Sequence, residues 1–347
     1  SSAQAPSPCT QATVTIGSQA DAAAFTSCAT ISGTVLISPS ATGEITLNGP
    51  QQITGDFDVS NAMALTYLGS PSLTTIGGTF TLQDLPLLSA IDFISLANVG
   101  AVLGANLPAA SGTLSFPGAG SRGFQTKSFT LFGTALVGLD FSLGGTATVN
   151  ITNNPGLSLA SINMTSITSS LTIASNNFAS SFSFPGLVWA ANITASDLYE
   201  FSVPDLAVVN GSFGLYGNTF PSFSAPKLTS VGSVTTGQGA LSISNNTNLT
   251  GLSMPLLSSV GGTLEVEGSG MLQAISFPAL ADAGKIILIG NFSTPSLGSL
   301  SSVKNGFDLE SNSTSVDCLA FQKAAWAGLI QGPFVCKSGN SSTGSGT

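Results

Sequence analysis

Apolar and polar residues alternate in short runs that recur along the chain. In Gly55-Asp56-Phe57-Asp58-Val59, Phe57 and Val59 fall on one side of an extended segment, and Asp56 and Asp58 on the other. The same alternation returns at Phe80/Leu82, Leu171/Ile173, Phe213/Leu215, Leu241/Ile243, Leu264/Val266, Ile286/Leu288 and Phe307/Leu309. Successive side chains of a strand point to opposite faces, so each run predicts a strand with one core-facing side. A Pro-x-Leu step opens each unit, at Pro71, Pro155, Pro185, Pro204, Pro226, Pro255 and Pro278, the last five starts being 19, 22, 29 and 23 residues apart. A unit this short cannot bury its apolar side alone. Neighbours must stack with their strands parallel, which predicts an all-β parallel β-solenoid.

A polar corner follows the strands, at Asn61, Asp84, Asn176, Asp197, Asn218, Asn245, Asn291 and Asn312. Two physical readings apply: the amides form a ladder that satisfies turn backbone, or Asn tolerates left-handed turn geometry. Phe182/Phe184, Phe220/Phe223 and Ile275/Phe277 predict a second core-facing strand, so the phenylalanines read as core rather than as a ligand-stacking set. Residues 103–132 break the rhythm, with Arg122 and Lys127 close together, and predict an irregular coil or an outward loop. Ser18 to Phe25 predicts a short helix with Ser18 as N-cap, and Asp317 to Trp326 a second one stopping near Gly332-Pro333. These helices cap open coil ends. The expected divisions are a cap over 1–32, repeats over 33–312 with the irregular insert, a second cap over 313–337, and a Ser/Gly/Thr-rich linker over 338–347.

Only 7% of residues are charged, with 7 basic against 16 acidic side chains. That balance argues against nucleic acid, which needs a basic footprint, and against electrostatic attraction to anionic lipid. No apolar run approaches the roughly 20 residues of a membrane helix. Four cysteines lie in two end pairs, Cys9 and Cys28, Cys318 and Cys336. Three pairings are possible, and pairing within each end is the simplest because solenoid ends are far apart. With no histidine and no Cys-x-x-Cys, neither a metal site nor a cofactor is expected. Sequons stand at Asn150, Asn163, Asn192, Asn210, Asn245, Asn248, Asn291, Asn312 and Asn340. With end-paired cysteines they favour a secreted, glycosylated protein, and the opening Ser-Ser-Ala-Gln-Ala-Pro-Ser-Pro-Cys reads as a mature N-terminus.

Cys9, Ser18-Gln-Ala-Asp-Ala-Ala-Ala-Phe-Thr-Ser-Cys28, Ile31-Ser-Gly-Thr-Val-Leu-Ile37, the Pro-x-Leu repeats and Asp317-Cys-Leu-Ala-Phe-Gln-Lys-Ala-Ala-Trp326 together resemble one known family. It is the fungal GPI-anchored cell-wall organisation family of extracellular-mutant and sporulation-specific proteins, whose repeats are similar to receptor L-domains. The resemblance spans about Cys9 to Cys336. It implies a right-handed, leucine-rich-repeat-like β-solenoid, secreted and held by a glycolipid anchor at the cell wall or outer membrane surface. It implies support of cell-wall integrity without enzymatic activity. The Ser/Gly tail fits the spacer before an anchor, while no hydrophobic attachment signal follows it.

Parallel solenoids also carry polysaccharide-active enzymes, and glycoside hydrolysis needs two carboxylates on one surface. The candidates are Asp56/Asp58, Glu265/Glu267 and Asp308/Glu310, each pair outward on one strand and roughly 7 Å apart at Cα. Glu265 and Asp308 share a column with Ile287 between them, at roughly 10 Å. Lys285 is the basic residue near them in sequence, and the absence of histidine removes Ser-His and Cys-His nucleophiles. The plainer reading is that these carboxylates solubilise an exposed sheet face. That face, with Asp58, Tyr216, Glu265, Glu267, Asp308 and Glu310, is the expected ligand surface, and wall polysaccharide or surface proteins are its expected partners. Tyr216 and Trp189 are the aromatic residues considered for stacking on a sugar ring.

Overall fold

A computed structural model describes residues 7–339 and the backbone of Ser341–Gly346. The chain forms a parallel β-solenoid of about 14 turns. It divides into two compact units, Ser1–Met164 with Ser175–Asn177, and Thr165–Ala174 with Phe178–Thr347. In the first unit the strands Thr13–Ile16, Thr34–Ile37, Phe57–Ser60, Thr75–Gln83, Asn98–Leu107, Ser128–Thr134 and Thr148–Thr152 pair in succession, all parallel. In the second, Ser170–Ala174, Ile193–Ser196, Phe213–Tyr216, Leu241–Ser244, Ser259–Glu267, Asp282–Gly290, Phe307–Ser311 and Phe334–Ser338 do the same. Every inward pair expected from alternation is buried, from Phe57 and Val59 to Phe307 and Leu309. The second strand is present too, as in Ser181–Ser183 against Glu200–Ser202, and Phe182, Phe184, Phe220, Phe223, Ile275 and Phe277 are buried in the core.

The Pro-x-Leu step is a tight turn. Leu187, Leu206 and Leu257 each donate their N–H to the carbonyl three residues back, at Phe184, Val203 and Met254, all at 3.2 Å. Proline supplies the φ that the second turn position needs, and the leucines drop into the core fully buried. The residue after the turn ties each coil to the one before. The hydroxyls of Thr229, Ser258 and Ser301 donate to Ala207 O, Thr229 O and Ala281 O, each at 3.0 Å.

The polar corner resolves into two adjacent columns, and each of the two sequence readings describes one of them. Asn61, Asp84, Asn106, Asn153, Asp197 and Asn245 take φ of 54° to 60°, the left-handed corner itself. One position further on, Asn154, Asn176, Asn218 and Asn246 turn inward and are buried. Asn218 Nδ2 donates to Asn246 Oδ1 at 2.9 Å and to Ala195 O at 3.1 Å, while its Oδ1 accepts from Leu198 N at 3.0 Å. Asn291 and Asn312 belong to neither column: both are exposed, with ordinary φ.

Residues 103–107 and 128–132, read as irregular, lie in regular strands. The departure is confined to 108–123, where the 3-10 turn Pro117–Arg122 is held down by Phe116 stacked on Phe124 at 3.9 Å. At the N-terminal end a helix, α1 (Gln19–Ala23), is capped by Ser18, whose hydroxyl accepts from Asp21 N. The Asp21 carboxylate accepts in return from Gly17 N at 2.9 Å. At the other end α2 (Cys318–Trp326) starts on Asp317 and stops at Gly328, whose φ is 77°. Gly332-Pro333, expected to end this helix, instead leads into the solenoid strand Phe334–Ser338. The disulfides are Cys9–Cys28 and Cys318–Cys336, with Cα separations of 5.6 and 5.7 Å. The backbone of Ser341–Gly346, linker-like in composition, runs antiparallel to Phe334–Ser338. The expected start of the mature chain at 1–6 and the Asn340 sequon lie outside the described residues.

Candidate functional site

The outward columns of the second unit run in the register that alternation requires. Gly214 sits beside Ser242, Ser242 beside Glu265, Glu265 beside Ile287, and Ile287 beside Asp308. One step along the strands, Tyr216, Ser244 and Glu267 form one row, and Ile289, Glu310 and Lys337 another. Two strand spacings separate Glu265 from Asp308, about 10 Å. Asp58 is on the corresponding column of the first unit, beside Thr81 and accepting from the Ser60 hydroxyl.

Tyr216 is 40% exposed, and its ring lies along the strand over Gly214. A Cβ at Gly214 would stand 2.3 Å from that ring, so glycine there leaves the room that the ring occupies. Trp189 does not join this surface. It is half-buried on a separate short ladder between Ser166 and Val208.

The carboxylates differ in their partners. Glu267 accepts from the Ser244 hydroxyl at 3.2 Å, and Glu310 takes a salt bridge from Lys337 at 2.6 Å. Asp308 Oδ1 is shut off from solvent without a hydrogen-bond partner. Burial pushes the Asp308 carboxyl above the usual carboxylate range, Glu310 adds to the rise, and Lys285 and Lys337 oppose it. The Glu310 hydrogen bond and charge in turn hold the Lys337 ammonium above its usual value. Lys337 is the member that sequence reading missed. It sits 27 residues from its partner, and the alternation of Phe334-Val-Cys-Lys-Ser338 was its one signal.

The sequons scatter over several environments. Asn163, Asn192, Asn210, Asn245, Asn248, Asn291 and Asn312 are exposed. Asn192 Nδ2 bridges to Ser169 O and Asn248 Nδ2 to Thr219 O. Asn150 lies mid-strand on the outward face of the first unit, half-buried, with its Oδ1 unpaired.

No family model matches the chain, and no solved structure matches it. Curated proteins do. The chain is 32% identical over 332 residues to "Protein ecm33" of Aspergillus fumigatus, covering 95% of this chain and 80% of that protein. It is 32% identical over 327 residues to a "Cell surface GPI-anchored protein" of Arthroderma benhamiae, covering 93% and 81%. It is also 32% identical over 331 residues to "Cell wall mannoprotein PST1" of Saccharomyces cerevisiae, covering 94% and 71%.

Proposed function

This chain belongs to the Ecm33 family of fungal cell-wall and cell-surface proteins, and we propose that it serves wall organisation by holding wall polysaccharide on the outward sheet face of its second unit. It is an extracellular protein of the cell wall or cell surface. Its relatives are named as cell-wall and GPI-anchored surface proteins rather than enzymes. In this reading the chain is non-catalytic, its exposed sequons carry N-glycans, and residues 338–347 lead toward a glycolipid anchor.

The single observation that carries the polysaccharide reading is the Tyr216 ring lying over Gly214, beside hydroxyls and carboxylates in register. An aromatic face stacks on the apolar face of a pyranose, and the flanking Glu265 and Glu267 offer hydrogen-bond acceptors to its hydroxyls, Ser244 being buried and holding Glu267 in place. Depletion assays with insoluble β-glucan, chitin and mannan test it. Retention on at least one polymer is expected, reduced about tenfold by Tyr216→Ala, the loss of one stacking contact. Equal retention of wild type and variant sinks the reading.

A second reading rests on Asp308. A carboxyl raised above its usual range, two strands from Glu265 on the same column, lies near the upper end of the spacing between general acid and base in an inverting glycosidase. It predicts new reducing ends on incubation with wall polysaccharide, abolished by Glu265→Gln. Binding without product release leaves the non-catalytic reading standing.

A further inference from the structure

We propose that the first unit holds a separate anion-binding groove, built around Arg122 and Lys127, that takes a phosphate group borne on a sugar. Two adjoining hollows run along the glycine-rich corner of its coils. One, of about 740 Å³, is lined by Asn98, Gln125 and Arg122, and the other, of about 350 Å³, by Asn98, Gln125 and Lys127. Both are shallow and open to solvent, with volumes in the range of small-molecule sites. The groove lies in a different unit from the outward face discussed above and does not depend on that reading.

The charge pattern singles this place out. Of 16 acidic residues in the chain, none lines either hollow. The other cations are otherwise engaged or placed. Lys227 pairs with Asp205, Lys337 with Glu310, Lys304 donates to Val234 O, Lys285 sits beside Asp308, and Lys323 lies on α2. Arg122 and Lys127 are exposed and, among the described residues, form no salt bridge. A chain of net charge −9 therefore keeps two unneutralised cations five residues apart, one on each of two hollows that share Asn98, Gln125 and Gly144.

The floor is built rather than accidental. Gln125 Nε2 donates to Arg122 O at 2.8 Å and to Gly123 O at 3.0 Å, which fixes the segment carrying Arg122. The same amide lies over Gly144, 2.1 Å from where a Cβ would stand, so a side chain there would displace it from Arg122 O and Gly123 O. Gly118 is pressed onto the backbone of Ser95 in the same way, anchoring the other end of the 3-10 turn. A guanidinium and an ammonium without a carboxylate suit a phosphate, which Arg binds bidentately and Lys as a point charge. Asn98 and Thr75 add amide and hydroxyl partners for sugar hydroxyls, and Gln125, whose Nε2 is already spent, adds its Oε1 as an acceptor. No sequon asparagine lines either hollow, the first one, Asn150, lying on the next coil opposite Thr130.

Calorimetric titration of the whole chain with glucose 6-phosphate, mannose 6-phosphate, the two parent hexoses and inorganic phosphate tests the proposal. A hexose phosphate is expected to bind at least about tenfold more tightly than its parent hexose and than inorganic phosphate, weakening as salt rises. Arg122→Gln and Lys127→Gln should each weaken it about tenfold, and Lys227→Gln should leave it unchanged. All three side chains are exposed, so folding is not at issue. Equal affinity for hexose and hexose phosphate, or an equal loss in Lys227→Gln, overturns the site. Inorganic phosphate binding as tightly as the sugar phosphate overturns the sugar component.

Discussion

At the scale of single residues, a one-position shift at the polar corner separates two roles that look alike in the sequence. Asn61 exposes its side chain and supplies a positive φ, while Asn218 spends its amide on buried backbone. Asn218→Ala leaves Leu198 N–H buried without its partner and removes the side-chain bonds to Ala195 O and Asn246 Oδ1, an expected loss of about 2–4 kcal/mol in urea unfolding. Asn61→Gly, at a corner glycine adopts freely, should change stability by less than about 1 kcal/mol. Asp308 gives a pH-dependent counterpart. Its folded-state pKa is raised, so between the ordinary carboxylate value and that raised value the folded state binds more protons than the unfolded one. Stability therefore falls as pH rises through that window, and the penalty is fully present above it. Asp308→Asn should raise the unfolding midpoint at neutral pH, and the gain should shrink on acidification below the ordinary carboxylate range. A midpoint difference that is constant with pH contradicts this assignment.

At the scale of elements, the two ends depend on staples more than on burial. Phe321 is the one buried residue of α2, stacked on Phe307 at 5.0 Å. The helix is otherwise exposed at Leu319 and Trp326. The Cys318–Cys336 bridge closes a separation of 18 residues and contributes on the order of 3 kcal/mol by restricting the unfolded chain. A Cys318→Ser/Cys336→Ser variant should exchange amide hydrogens much faster across α2 while strand Leu241–Ser244 keeps its protection. Undiminished protection of α2 would show that packing alone holds the cap.

At the scale of the whole molecule, each coil contacts its neighbours, so stability is close to a sum of coil and interface terms. Phe307 is fully buried and stacks on both Phe321 and Phe334. Phe307→Ala should cost about 3–5 kcal/mol in the coils around it. Hydrogen exchange should place that loss in the strands from Asp282 to Ser338 and leave the strands of the first unit near wild type. Uniform loss across the chain would mean that the solenoid unfolds as one cooperative block.

The alternation of apolar residues, the Pro-x-Leu turns and the cysteines at the two ends determined the solenoid, its inward columns and its caps, because strand periodicity and turn chemistry are local and repeat with the coil. The outward column through Glu265 and Asp308 followed from the same alignment. Contacts between residues far apart in sequence were decided only in three dimensions. Lys337 reaches Glu310 because Phe334–Ser338 adds one more coil, and Gln125 lies over Gly144 to fix the Arg122 segment. The split of the polar corner into an exposed and a buried column was equally out of reach, since a single residue of register decides whether an amide meets water or backbone.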